Sequence, residues 1–267
     1  MTTRSFQASY TDGVSESIGF LLIFTLMMAG IGLVTLYGYP MLMQQQTSAD
    51  EQIMEKNMIV LQNDIKSLAY KTVPYKETSL KIGGGALTIY NSQYSPPASK
   101  ITLRDANGVI FVSDFLSGDL TYSSASANTE VSLQNGAVVK RQGTGSVMLA
   151  EPRWFYDGQT KTMVINLVNL TSRDLLARDG IGTVQMALGE TRFDDYDNSG
   201  LVAVHLLYTP DSVKDYSVAW DNYFRQTQGM SRISGTPGSG TGQPLEYELP
   251  QTRRLVIKQY EVIIRSL

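Results

Sequence analysis

Hydrophobic and polar positions divide the chain into three stretches. From Ser17 to Ala49 there is no charged residue. Within that stretch Ile18 to Tyr37 is an almost unbroken apolar run, and about 20 helical residues rise about 30 Å, the thickness of a bilayer's hydrocarbon core. A run of this length ending in Tyr-Gly-Tyr-Pro-Met-Leu-Met fits a retained membrane helix. A secretory signal has a shorter apolar region that ends in small residues, and a buried core helix rarely runs so far without a charge. Tyr37 and Tyr39 stand where amphipathic rings favour an interface. Pro40 follows and is expected to kink the chain at the membrane exit.

The second stretch has helical period. Met54, Met58, Leu61, Ile65 and Leu68 recur every four or three residues, which places them on one helix face. Lys56, Gln62, Asp64 and Lys66 occupy other faces, and Pro74 stops the helix. The stripe suits either packing on the protein's own sheet or a coiled coil, and its shortness favours the sheet.

In the third stretch the period becomes that of strands. Predicted segments are 79–82, 86–90, 101–104, 109–112, 130–134, 137–140, 145–150, 163–170, 183–187, 201–208 and 255–264. Asn135-Gly136 inside Val131 to Val139 is a strong hairpin signal, and Asp105-Ala-Asn-Gly108 marks another turn. Val218, Trp220 and Phe224 suggest a short amphipathic helix. Ser234 to Pro244 reads as a flexible Gly/Ser/Pro loop. The fold class expected is an N-terminal transmembrane α-helix extended into a spine helix, then a mainly antiparallel all-β, sandwich-like extracytoplasmic domain with one short helix. The expected divisions are a hydrophilic leader (1–13), a transmembrane helix (14–43), a juxtamembrane amphipathic helix (44–74) and the β domain (75–267).

Composition narrows the chemistry. The net charge of −3 over 267 residues, without a Lys/Arg cluster, argues against nucleic acid as a partner. The absence of cysteine removes thiol catalysis, iron–sulfur clusters and a lipid-modified cysteine anchor. The single histidine, His205, sits in an apolar strand pattern, and no Gly-x-Ser-x-Gly elbow is present. The inventory points to no enzyme and no cofactor. Gly83-Gly-Gly lacks the Lys-Ser/Thr of a phosphate loop and reads as a turn or bulge. Asp195, Asp197 and Ser199 match the first half of a calcium loop, but Leu206 stands where its bidentate Glu belongs, so a solvated acidic turn is the simpler reading. Asn169-Leu-Thr171 is a glycosylation sequon.

The residues ahead of the apolar run, Tyr10-Thr-Asp-Gly-Val-Ser-Glu-Ser-Ile-Gly-Phe20, resemble the class III signal of archaeal type IV pilin-like proteins. The resemblance implies cleavage by a prepilin peptidase after Asp12-Gly13, leaving Val14 as the new N-terminus and the helix in the mature protein. Such a peptidase needs an unstructured, small-residue bond ahead of the helix. Val14-Ser-Glu-Ser-Ile-Gly19 is similar to the Val-Ser-x-x-Ile-Gly start of many archaeal pilins. Glu16 falls at the third mature position, whereas bacterial pilins carry Glu at the fifth. It either pairs with a neighbour's free N-terminus or lies in a solvated helix start capped by Ser15 or Ser17. Asn135 to Val139, Gly145 to Pro152 and Tyr216 to Phe224 extend the resemblance to an uncharacterised family of pilin-like membrane proteins of haloarchaea and relatives.

The resemblance implies a surface or pilin-like role, with the membrane, the peptidase, and self or other pilin-like subunits as partners, and it names no catalytic residue. In a filament the apolar helices would pack on one another, with Ala29, Gly30 and Gly32 allowing close approach. The alternative is an uncleaved single-pass protein whose β domain binds an envelope component or ligand.

Overall fold

The computed structural model describes residues 12–71, 73–91 and 99–267, with the side chains of residues 12–15, 198 and 199 outside that description. The chain forms two compact units, Met1–Ala49 and Asp50–Leu267.

In the first unit, α1 (Asp12–Leu33) leads into a π-helical turn (Val34–Gly38) and the opening of α2 (Tyr39–Lys71). Apolar side chains are exposed on every side of it, from Ile18 and Phe20 to Leu42. A helix apolar all round has no polar face to turn toward water. Its most apolar 18-residue window has a mean hydropathy of 2.3, and none of that window is buried. The helix is long and apolar enough to cross a membrane. The π turn has a local cause. Pro40 has no N–H, and its ring would strike the carbonyl four residues back. In the turn just before it, the Tyr39 N–H reaches the Val34 carbonyl instead, and this wider loop relieves the clash. The expected kink is taken up as a widened turn, and the chain stays helical through Pro40.

In the second unit α2 supplies the stripe predicted from its period. Met54, Met58, Leu61 and Leu68 are fully buried and Ile65 nearly so. They join one hydrophobic core with Leu80, Leu87, Leu133, Val168 and Val262. Packing on the protein's own strands is therefore what the stripe does. At about 1.5–3 kcal/mol for each fully buried aliphatic side chain, the stripe is a main source of this core's stability.

Among the described residues twelve strands complete the unit: β1 (Tyr75–Tyr90), β2 (Lys100–Asp105), β3 (Ile110–Leu116), β4 (Asp119–Ser124), β5 (Thr129–Gln134), β6 (Ala137–Gln142), β7 (Gly145–Ala150), β8 (Phe155–Asp157), β9 (Thr162–Ser172), β10 (Ala177–Thr209), β11 (Ser231–Ser234) and β12 (Leu245–Ser266). They form one hydrogen-bonded sheet of order β7-β6-β5-β4-β1-β10-β12-β9-β8, with the β2–β3 hairpin on β10 and β11 on β12. Pairing is antiparallel except between β12 and β9, which run parallel. A helix, α3 (Ser217–Asn222), and a π turn (Tyr223–Thr227) follow β10.

The longest strands serve two hydrophobic cores. β10 gives Val184 and Met186 to the core under α2, and Val204, Leu206 and Tyr208 to a second core around Trp154, Trp220 and Phe224. β12 divides its side chains in the same way, with Leu245, Tyr247, Leu255 and Ile257 in the second core and Val262 and Ile264 in the first. Interruptions in the β10–β12 register between Leu188 and Thr191 and between Asp197 and Val202 let these long strands bend.

Local turn chemistry accounts for other features. Asn135 and Gly136 both have positive φ, 45° and 72°, the backbone of a tight two-residue hairpin between β5 and β6. The Asn135 carboxamide oxygen accepts the Val168 N–H at 2.9 Å. Gln62 of α2 donates to the carbonyls of Gly136 and Glu151 at 2.8 and 2.9 Å, pinning the helix to this hairpin. Gly83 to Gly85 form a bulge within β1, where the register with β10 shifts between Ile82 and Leu87. Asp194 to Asp197 are not a turn but part of β10, paired with β12 from Ile257 to Arg254.

Candidate functional site

Asp12, Gly13 and Val14 fall in the first turn of α1, and their side chains lie outside the described residues, as does the whole of segment 1–11. The Gly13–Val14 bond thus opens the helix instead of preceding it. The first N–H groups of a helix have no partner within it, so this turn is also the cheapest to unwind. Glu16 is exposed. Ala29 and Gly30 are exposed and Gly32 half-buried. A Cβ built at Gly30 or Gly32 would meet nothing within 4 Å, leaving a shallow place where another helix can come close.

The other residues singled out from the sequence lie in the sheet. Asn169 is half-buried in β9, and its side-chain oxygen accepts the Gly118 N–H at 3.1 Å. Asp195 and Asp197 stand two apart on β10. Arg254 holds Asp195 through two nitrogens, at 2.9 and 2.5 Å, and this pairing lowers the Asp195 pKa. The Ser199 side chain lies outside the description. Among the described residues no three His, Asp or Glu side chains are gathered as a metal site. The His205 Nδ1 lies 3.0 Å from Glu246, which also takes Arg104 at 2.6 Å. These two contacts, Arg104 foremost, hold the Glu246 carboxyl below its ordinary range.

One concavity was invisible in the sequence. Alternate residues of β9 and β12 face two ways. Met163, Ile165, Leu167, Leu255 and Ile257 point into the second core, while Val164, Asn166, Val256, Lys258 and Tyr260 line an open trough of about 840 Å³. Cross-strand register orders it in rows. One row runs Phe155, Val164, Val256, and the next runs Asn166, Lys258, Phe193. Tyr70 from α2 closes one side, edge-on to Tyr260 at 5.4 Å between ring centres. Arg153 lies over the Tyr70 ring at 4.7 Å and Lys258 over the Phe193 ring at 5.5 Å.

A buried polar cluster lies beside β4. The Asp119 carboxylate accepts the Thr121 hydroxyl at 2.6 Å, and Thr121 in turn accepts the Ser132 hydroxyl at 2.9 Å. The Lys214 Nζ sits 3.1 Å from the centre of the Tyr90 ring and has no hydrogen-bond partner among the described residues. Burial pushes the Asp119 carboxyl up to about 6, against the opposing pull of Lys214 and Thr121. A folded-state value above the unfolded one means that the folded protein binds more protons between about pH 4 and 6, so this group's contribution falls as pH rises through that window. A shift of about 2 units corresponds to at most about 3 kcal/mol. Asp119 is only half-buried, which reduces the expected effect to about 1 kcal/mol. Urea unfolding of Asp119→Asn should therefore show a variant that gains about 1 kcal/mol on the parent between pH 4 and pH 7. A constant difference across those pH values would refute this.

The fold and these features define a β-sheet domain preceded by a helix long and apolar enough to cross a membrane. The chain belongs to DUF7289, a family of unknown function, which matches residues 13–265. No curated protein and no solved structure matches it.

Proposed function

We propose that this chain is a pilin-like, membrane-anchored cell-surface protein, a structural or minor subunit of a type IV pilus-like filament. The observation that carries the reading is the apolar helix, exposed on all sides, with the pilin-like signal Asp12-Gly13-Val14-Ser15-Glu16 at its start. In water such a surface is strongly unfavourable, at about 25 cal/mol for each Å² of apolar area. Lipid before assembly, and neighbouring helices after it, would each cover it. Ala29, Gly30 and Gly32 are the places of closest helix approach in this reading, and Glu16 is available to a neighbour's new N-terminus. The β domain, read as sandwich-like, would stand outside the cell with no catalytic role. The membrane, a prepilin peptidase and other pilin-like subunits are its partners.

Intact mass of the membrane-extracted protein tests this. The expected mature chain begins at Val14. Gly13→Arg should leave the leader uncleaved, because a long charged side chain replaces the small residue the peptidase must accommodate. A parent protein that keeps Met1, or one cut after the apolar run, would overturn the pilin assignment and favour an uncleaved anchor that displays the domain.

A further inference from the structure

The trough on the outer face of β9 and β12 holds more positive charge than its surroundings neutralise. Arg153 and Lys258 form no ion pair with any described residue, and each lies over an aromatic ring instead. Lys66, one turn before Tyr70 on α2, bonds only to Gln62. Burial, and then the nearby charge of Arg153, depress its pKa. Of the neighbouring carboxylates one is paired with a cation, and Asp157 offsets part of the remaining charge, leaving the lining net positive. Asp195 holds Arg254, and Asp157 accepts the Gln159 N–H and the Thr160 hydroxyl. Like charges kept close without a counter-charge repel one another, and the repulsion is relieved when an anion enters.

The rest of the lining is suited to a flat, hydroxylated ligand. Phe155 and Phe193 are 50% and 58% exposed, unusual for large aromatic side chains in a sheet whose other face is packed. They stand on opposite sides of the trough, separated by β9 and β12 at about 4.8 Å per strand. Val164 and Val256 lie between them. The Tyr70 and Tyr260 hydroxyls bond to no described residue, so both remain free to donate and accept.

We propose that this trough binds an acidic saccharide, one bearing carboxylate or sulfate groups. The apolar faces of the sugar rings would rest on Phe155 and Phe193, the acid groups would lie between Arg153 and Lys258, and ring hydroxyls would meet Tyr70 and Tyr260. Charge complementarity favours this occupant over a neutral glycan, which would leave the cations unpaired. The inference does not depend on leader cleavage, so its failure and that of the filament assignment are separable.

The test is equilibrium binding to the full chain in a neutral, sugar-free detergent, with trigalacturonate as the carboxylated probe, a sulfated heparin tetrasaccharide as the second and maltotriose as the neutral one. At least one acidic probe should bind about tenfold or more tighter than maltotriose, with affinity falling as salt rises. Lys258→Gln and Phe193→Ala should each weaken binding about fivefold or more, while Lys56→Ala, an exposed lysine on α2, should leave it unchanged. Both test positions are surface positions, and an unaltered melting temperature confirms that the variants fold. Arg153→Ala serves as a third variant. No binding by either acidic probe overturns the proposal. Equal binding of maltotriose, or an equal loss in Lys56→Ala, does so as well.

Discussion

Leu61→Asp should unfold the β-sheet unit under conditions where the parent is stable. Leu61 is fully buried at the centre of the α2 stripe, among Leu133, Val168 and other side chains of the core beneath the helix. The substitution removes a large aliphatic group, worth about 2–5 kcal/mol in a core. It also places a carboxylate where no described cation faces it, a further penalty of several kcal/mol. A domain of ordinary stability has about 5–15 kcal/mol in total. The adjacent Val60 is 47% exposed, so Val60→Asp should cost about 0.5 kcal/mol or less. Thermal melts of the two variants, followed by circular dichroism of the sheet, decide the matter. Equal melting temperatures would mean that the stripe is not packed as described.

The second large effect is at Trp220. Its ring is buried among four others, with centres 6.3 Å from Trp154, 5.8 Å from Tyr208, 5.9 Å from Tyr223 and 5.4 Å from Phe224. Trp220→Ala should lower the unfolding free energy by about 4 kcal/mol through lost burial and the cavity left behind. The Trp220 indole Nε1 is buried with no hydrogen-bond partner among the described residues. Trp220→Phe, which discards that donor and keeps a ring, should therefore cost only about 1 kcal/mol. Urea titrations of both variants check the pair. Similar losses in the two would indicate that the indole N–H, and not the ring packing, matters.

The elements that could be read from the sequence were those whose cause is local. The stripe from Met54 to Leu68 shows its period directly, and Asn135-Gly136 carries its positive φ values in its residue types. β4 was not predicted, because Asp119, Thr121, Ser123 and Ser124 make it look like a loop. Its polar residues are tolerated because Thr121, fully buried, is satisfied by Asp119 and Ser132. β10 was expected as two separate strands. It runs from Ala177 to Thr209, far longer than usual, because β12 pairs along most of it and Arg254 offsets the charge of Asp195. β8 and β11, with three and four residues, are too short to show a period. The trough could not be foreseen, since Tyr70, Arg153, Phe193 and Lys258 meet only through long-range strand pairing. The long apolar helix, by contrast, is written in consecutive residues.

β12 is made last among the strands yet lies inside the sheet, between β10 and β9. Until residues 245–266 are available, β9 and β10 both lack a neighbour, and both cores lack the apolar side chains that β12 brings. A chain emerging in N-to-C order therefore keeps the sheet open until Leu245–Ser266 has been delivered. Final closure of the sheet thus waits for β12, and a polypeptide halted short of it is a substrate for proteolysis.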